Sequence, residues 1–79
     1  DHAFVVYPVP ATDLVSVQLP DLAEHNVIEI STLAGALVRS VRPTALLTVI
    51  DVSGLAMGVY TVAVRTEQTV STKRLLVAR

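Results

Sequence analysis

The chain has 79 residues and a formal net charge of −1; 52% of its residues are hydrophobic and its mean hydropathy is +0.61. This length allows one small domain of marginal stability, because so short a chain hides only about 60% of the surface that it exposes when unfolded. The composition excludes the basic footprint of a nucleic-acid-binding protein, cysteine-based disulfides and zinc sites, and a membrane helix, which needs about 18 consecutive apolar residues.

The first predicted element is a short strand over residues 3–7. Apolar and polar residues alternate with the period of a strand along much of the chain, and no helical period recurs. Pro8 and Pro10 end this strand, because proline cannot donate a hydrogen bond to a sheet. The proline pair indicates an edge strand whose open side is kept from recruiting other chains. Asp13 follows in a turn, where its side chain can cap backbone N–H groups.

Three further strands are predicted over residues 14–19, 27–32 and 36–41. The alternation in the first two assigns five side chains to a core: Val15, Val17, Leu19, Ile28 and Ile30. Gly35 lies in the tight turn between the last two strands, where we expect a positive φ. In the strand that follows this turn, the alternation leaves open whether Leu37 or Val38 points inward.

The second half of the chain contains three more predicted strands, over residues 46–51, 59–66 and 69–79. We expect three of their side chains to join the core: Val49, Val62 and Val64. Glu67 and Gln68 turn the chain between the last two strands. Tyr60 begins the sixth strand after a crossover, where immunoglobulin-like sandwiches place a tyrosine corner; an ordinary half-buried tyrosine is the alternative. The succession of short strands predicts an all-β sandwich of two antiparallel sheets.

No constellation of residues indicates an enzyme or a metal site. His2 lies near the start of the chain and His25 in a polar loop, and neither belongs to a cluster of titratable groups. Four acidic residues lack the spacing of a calcium-binding EF-hand loop and are better interpreted as turn caps: Asp13, Asp21, Glu24 and Asp51. Phosphate-binding loops, dinucleotide fingerprints and nucleophile elbows do not occur. We therefore predict no catalytic residue, no metal and no cofactor.

Lys73, Arg74 and Arg79 form a small basic group near the end of the chain. Cations on an edge strand commonly block aggregation, and the residues on their own favour this gatekeeper interpretation. The alternative is a recognition patch, in which a partner adds a strand to the terminal strand and uses the charge for orientation.

Several stretches, in this order, resemble the C-terminal sorting domain of the type IX (Por) secretion system of Bacteroidota. The opening motif of that family is "YPVPATD" here, with Val9 where asparagine is usual. Its strand, glycine turn and strand are "VIEISTLAGALV", in which Ser31 and Thr32 replace the usual aspartate. A Leu-x-x-Gly-x-Tyr stretch and a lysine-bearing terminal strand follow. The residues of the structural motifs are Tyr7, Pro8, Pro10, Asp13, Gly35, Leu55, Gly58 and Tyr60.

The resemblance implies a seven-stranded immunoglobulin-like antiparallel β-sandwich that acts as a secretion address and not as an enzyme. Such a domain follows an unrelated cargo domain and is recognised by the outer-membrane translocon and shuttle proteins. A surface sortase-like protease commonly removes it, and the cargo is released or attached to lipopolysaccharide. The protein passes through the periplasm and outer membrane and is secreted or held at the cell surface, without nucleic-acid partners or stable membrane insertion. The predicted recognition residues are Lys73, Arg74, Leu75, Val77 and Arg79.

The alternative function is an accessory immunoglobulin-like module of a secreted protein that binds carbohydrate or a protein partner. Sugar-binding modules usually expose aromatic rings, whereas this chain has only Phe4, Tyr7 and Tyr60, all at positions with a structural explanation. The chain begins with Asp1, so we interpret residues 1–79 as a single domain taken from a longer protein. A position at the end of the full-length protein favours the address, and an internal position favours the module.

Overall fold

The computed structural model describes residues 4–8, 10–21 and 26–78, and none of these residues is helical. They form seven strands: β1 (Val5–Tyr7), β2 (Leu14–Gln18), β3 (Val27–Thr32), β4 (Leu37–Val41), β5 (Leu47–Asp51), β6 (Gly58–Arg65) and β7 (Val70–Val77). Two antiparallel sheets result, with the strand orders β1-β2-β5 and β4-β3-β6-β7. The predicted all-β architecture of two antiparallel sheets is confirmed.

One hydrophobic core lies between the two sheets and draws on alternate positions of the strands. Seven of the side chains predicted to be buried are in this core: Val15, Val17, Leu19, Ile28, Ile30, Val62 and Val64. Phe4, Ile50, Val52 and Leu75 add large apolar side chains to it. Removal of such a side chain from water contributes about 1.5–3 kcal/mol, so this shared core is the main force that holds the sheets together.

The prediction that Val49 belongs to the core is wrong. Its side chain is 55% exposed, whereas that of Ile50 is 3% exposed. The register of β2 with β5 pairs Val15 with Ile50, and residues opposite each other share a face of the sheet. Buried Val15 therefore directs Ile50 inward and Val49 outward. Apolar residues stand at both alternating positions of β5, so the local pattern does not select a face and the pairing decides.

The geometry of the β3–β4 hairpin shows which residue of β4 points toward the core. Gly35 has a φ of +95°, as expected, and its N–H donates to the Thr32 carbonyl over 2.9 Å. The Thr32 hydroxyl also accepts a hydrogen bond of 3.1 Å from the Ala36 N–H, so threonine supplies a side-chain acceptor in this turn. A bulge interrupts the pairing with β3. As a result Val38 packs against the core, and Leu37 is exposed.

The segment between β1 and β2, which are neighbours in the three-stranded sheet, reaches across to the end of β7 in the four-stranded sheet. The Ala11 N–H donates to the Leu76 carbonyl over 2.8 Å, and the Ala78 N–H donates to the Ala11 carbonyl over 2.9 Å. Ala11 thus forms an isolated parallel bridge with the end of β7. Pro8, which follows a cis peptide bond, and Pro10 end the first strand where the chain leaves the pairing with β2 and passes beside β7. β1 is an edge strand, as predicted from the proline pair.

Candidate recognition site

The last strand, β7, lies at the edge of the four-stranded sheet and pairs with β6 along its whole length. A tight turn at Glu67 and Gln68 connects the two strands, as predicted, and the Thr66 N–H donates to the Thr69 carbonyl over 2.9 Å. The Thr66 hydroxyl accepts hydrogen bonds from the N–H groups of Gln68 and Thr69, over 3.2 and 3.1 Å. These bonds fix the point at which β7 begins and therefore its register with β6.

Two of the predicted recognition residues are core residues in the folded domain. Leu75 lies opposite Tyr60 and Val77 opposite Gly58, on the inner face of the sheet. Leu75 and Val77 are 0% and 1% exposed, so a partner has no access to their side chains while the domain is folded. Arg79 lies outside the described residues.

Lys73 and Arg74 are both exposed but project to opposite faces of the sheet. Lys73 lies opposite buried Val62, which assigns it to the inner face at the open side of the sandwich. Its Nζ is 5.9 Å from the centroid of the Phe4 ring, within the range of a cation–π interaction. Arg74 lies opposite Thr61 on the outer face. The two cations therefore flank the edge of β7, one on each side, and do not form a single flat patch.

The three motif residues of the Leu-x-x-Gly-x-Tyr stretch each have a structural explanation. Leu55 is buried in the core, and Gly58 has a φ of +153°, a backbone conformation that favours glycine. Tyr60 is buried, and its hydroxyl donates to the Ala56 carbonyl over 2.6 Å. This is the bond to upstream backbone that a tyrosine corner requires, and it excludes an ordinary half-buried tyrosine.

The opening motif, residues 7–13, connects β1 to β2. Tyr7, Pro8 and Pro10 are exposed, and Val9 lies outside the described residues. Asp13 accepts a hydrogen bond of 2.8 Å from the Val52 N–H through its backbone carbonyl. The acceptor described at Asp13 is thus the main chain and not the side-chain cap that the sequence suggests.

Arg39 and Asp51 close the side of the sandwich opposite β7, a contact that the sequence analysis did not identify. The Arg39 Nε donates to the Asp51 carbonyl over 3.1 Å, from β4 of one sheet to β5 of the other. The Asp51 carboxylate accepts a hydrogen bond of 2.8 Å from the Ser53 N–H. Hydrogen bonds from the Ser53 side chain and backbone, with a smaller effect of the Arg39 charge, hold the pKa of Asp51 below its usual value.

The described part of the chain offers little support for a metal site, a membrane-spanning helix or a sugar-binding surface. No three of its histidine, aspartate and glutamate side chains are grouped to hold a metal ion, and His2, Glu24 and His25 lie outside it. The described ranges contain no helix long and apolar enough to cross a membrane. A cavity beside Asn26 has a volume of about 20 Å³, enough for about one water molecule. Of the three aromatic residues, only Tyr7 is exposed.

An all-β domain that exposes a long edge strand flanked by cations has the features of a domain that other proteins recognise. Residues 5–78 match the family described as the secretion system C-terminal sorting domain. The chain therefore belongs to this family, as the motifs predicted. No individual curated protein is significantly similar to the chain.

Membership of this family establishes the general function of the domain. It is a C-terminal secretion signal for type IX secretion, and the accessory binding module is not favoured. A protein that carries it interacts with the type IX secretion system, is exported through the outer membrane, and is secreted or displayed at the cell surface. The family is one of sorting signals and not of catalysts.

Proposed function

We propose that the outer-membrane translocon and shuttle proteins of the type IX system recognise this domain through the basic residues of β7. One observation carries this proposal: Lys73 and Arg74 are exposed on opposite faces of the edge strand of the four-stranded sheet. The whole chain has a net charge of −1, so two adjacent cations with no acidic residue in β7 give this edge a distinct local charge. Such charge orients a partner during encounter.

The proposed address is an immunoglobulin-like sandwich that follows a cargo domain, with residues 1–79 as a single folding unit. The strand orders β1-β2-β5 and β4-β3-β6-β7 support this, because they match an immunoglobulin-like arrangement in which the fourth strand pairs with the third. The hydrogen bond from Tyr60 at the start of β6 supports it further. A domain with its own core is able to fold behind an unrelated cargo without sharing contacts with it.

The proposed route leads through the periplasm and the outer membrane to the medium or the cell surface. There a sortase-like protease removes the domain, and the cargo is released or attached to lipopolysaccharide. The resemblance of the chain to the family supports these steps. The domain itself contributes recognition and no catalysis.

The test reverses the charge of the pair without deletion of the strand. A reporter is fused in front of the domain in a host with a type IX system, and the double variant Lys73→Glu, Arg74→Glu is compared with the native fusion. We expect the native fusion to reach the surface or medium and the double variant to remain in the periplasm. Circular dichroism of the purified variant checks that the fold survives, as expected for exposed positions.

Arg42 provides the matched control for charge. It is exposed and follows β4, at the opposite edge of the same sheet. Arg42→Glu changes the net charge by the same amount as Arg74→Glu, but we expect only the latter to reduce export. Normal export of a folded double variant at residues 73 and 74 contradicts the proposal and leaves the pair as edge gatekeepers. Retention of the native fusion in the periplasm shows that the domain is not a sufficient address.

A further inference from the structure

The hydrogen bonds at the two ends of β7 show which side of the strand each residue faces. At the end of the strand, the Leu76 carbonyl accepts from the Ala11 N–H, so Leu76 directs its main-chain groups away from β6. At the start, the Thr69 carbonyl accepts from the Thr66 N–H, so Thr69 directs its groups toward the β6 side. In an antiparallel ladder these two directions alternate from residue to residue. Even-numbered residues of β7 therefore face outward and odd-numbered residues face β6.

Three residues of β7 thus present N–H and C=O groups to the outside of the sheet: Val70, Thr72 and Arg74. Among the described residues, no hydrogen bond reaches these main-chain groups. Ala11 covers the edge only near Leu76. Within the described part of the chain, an edge of about five residues, 70–74, is thus open beside the two cations.

β7 is the longest and most regular of the four edge strands. β1 has three residues and is followed by two prolines, β4 is interrupted by a bulge, and β5 has five residues. β7 has eight residues without proline, glycine or a bulge. Folded proteins normally protect a long edge with such devices, because its free main-chain groups are a template for another strand. β7 has only the charges of Lys73 and Arg74 for protection, which repel a basic strand but leave the main-chain groups available to an acidic one.

We propose that residues 70–74 of β7 receive an extended acidic segment of a type IX partner by strand addition, an inference that rests on the proposed function. The outward N–H and C=O groups recur every second residue, about 7 Å apart, and this spacing is complementary to the main chain of another extended segment. Successive side chains of the added strand project to opposite faces, beside Lys73 on one and Arg74 on the other. Carboxylates at neighbouring positions of the segment therefore pair with both cations.

The charges favour a different chain over a second copy of this domain as the added strand. β7 has the sequence VSTKRLLV and contains no acidic residue. Two copies joined edge to edge bring two lysines and two arginines to one seam without a carboxylate, and like charges in neighbouring strands are destabilising. The partner must therefore supply the negative charge.

Proline substitutions in β7 distinguish the role of its outward N–H groups in strand addition from the role of its inward N–H groups in folding. Thr72→Pro removes an N–H that points away from β6, and proline is tolerated at an edge where its nitrogen faces solvent. The domain loses no ladder hydrogen bond, but an added strand loses a donor and meets the proline ring. Thr72→Ala is the matched control, because it keeps the N–H. Ser71→Pro is the opposite control: it removes an N–H that faces β6, and we expect it to unfold the domain.

The binding test uses two synthetic peptides, Thr-Val-Glu-Glu-Val-Thr and Thr-Val-Lys-Lys-Val-Thr, with the full chain. We expect the acidic peptide to bind and to protect the amides of Val70, Thr72 and Arg74 from hydrogen exchange, and the basic peptide to bind at least about tenfold more weakly. Thr72→Pro should weaken the binding of the acidic peptide by about tenfold, and Thr72→Ala should leave its affinity unchanged. Equal binding of both peptides, or no protection of these three amides in the native chain, overturns the inference even if Thr72→Pro fails to fold.

The export assay distinguishes this inference from the proposed function. We expect the Thr72→Pro fusion to remain in the periplasm and the Thr72→Ala fusion to be exported. A folded Thr72→Pro fusion that is exported as well as the native one overturns strand addition, while a defect of the Lys73→Glu, Arg74→Glu variant in the same experiment still supports recognition by charge. Sedimentation provides the last check: a dimer of the native chain that Thr72→Pro abolishes identifies a second copy as the added strand and also overturns the inference.

Discussion

The Tyr60 hydroxyl donates a hydrogen bond of 2.6 Å to the main-chain carbonyl of Ala56, four residues upstream. This bond fastens the end of the crossover between the sheets to the start of β6. Because β6 pairs with both β3 and β7, this bond ties the end of the crossover to the strand that holds β7 in the sheet.

We expect Tyr60→Phe to lower the free energy of unfolding by about 1 kcal/mol, the usual contribution of one hydrogen bond. Tyr60→Ala should lower it by about 3–5 kcal/mol, because it also removes a ring that is only 7% exposed. Urea denaturation of the three proteins measures both differences. If Tyr60→Phe is as stable as the native chain while Tyr60→Ala is severely destabilised, Tyr60 stabilises the domain by packing alone.

Val49 and Ile50 form a matched pair of neighbours that tests the register of β5. Ile50→Ala should destabilise the domain by about 2–5 kcal/mol, since it leaves a cavity in the core. Val49→Ala should change stability by no more than about 0.5 kcal/mol, because the side chain projects into solvent. Denaturant midpoints of the two variants give the comparison. The opposite order of effects would mean that β5 is shifted by one residue against β2.

The lowered pKa of Asp51 predicts that the stability of the domain depends on pH. In the folded state this pKa lies below the usual value of an aspartate side chain, so the folded domain favours the ionised carboxylate. This contribution is fully present above the unfolded pKa and is lost as the pH falls through the folded value. We expect the urea midpoint to fall less between pH 6 and pH 2 in Asp51→Asn than in the native chain. Identical pH profiles of the two proteins would show that the Ser53 hydrogen bonds do not stabilise the charged form.

The sequence was informative where one face of a strand is apolar and polar residues interrupt the other. β2 and β6 meet this condition, and their buried residues Val15, Val17, Val62 and Val64 were all predicted. β5 does not, and its face depends on pairing with a strand that lies more than 25 residues earlier. The family motifs supplied the function, because alternation reports only burial and carries no information about partners.

The candidate site was predictable in part. The alternation of a strand requires that adjacent residues such as Lys73 and Arg74 face opposite ways, and that Leu75 and Val77 share a face. Which face is buried, and therefore which side chains a partner can reach, depends on the register with β6. The bridge from Ala11 to the end of β7 joins distant parts of the chain, and no local pattern indicates it.

The different surroundings of Lys73 and Arg74 lead to a last prediction, in which one substitution is made at each position. Lys73→Gln should destabilise the domain by about 0.5–1 kcal/mol, because it removes the cation above the Phe4 ring. Arg74→Gln lies on the outer face, and we expect a change of no more than about 0.5 kcal/mol. Both variants should reduce export of a reporter fusion, because both remove a cation that flanks the open edge. Urea denaturation and the export assay, carried out on the same pair, thus separate stability from recognition. If export falls only in Lys73→Gln, in step with its loss of stability, the basic pair acts through the fold and Arg74 has no part in recognition.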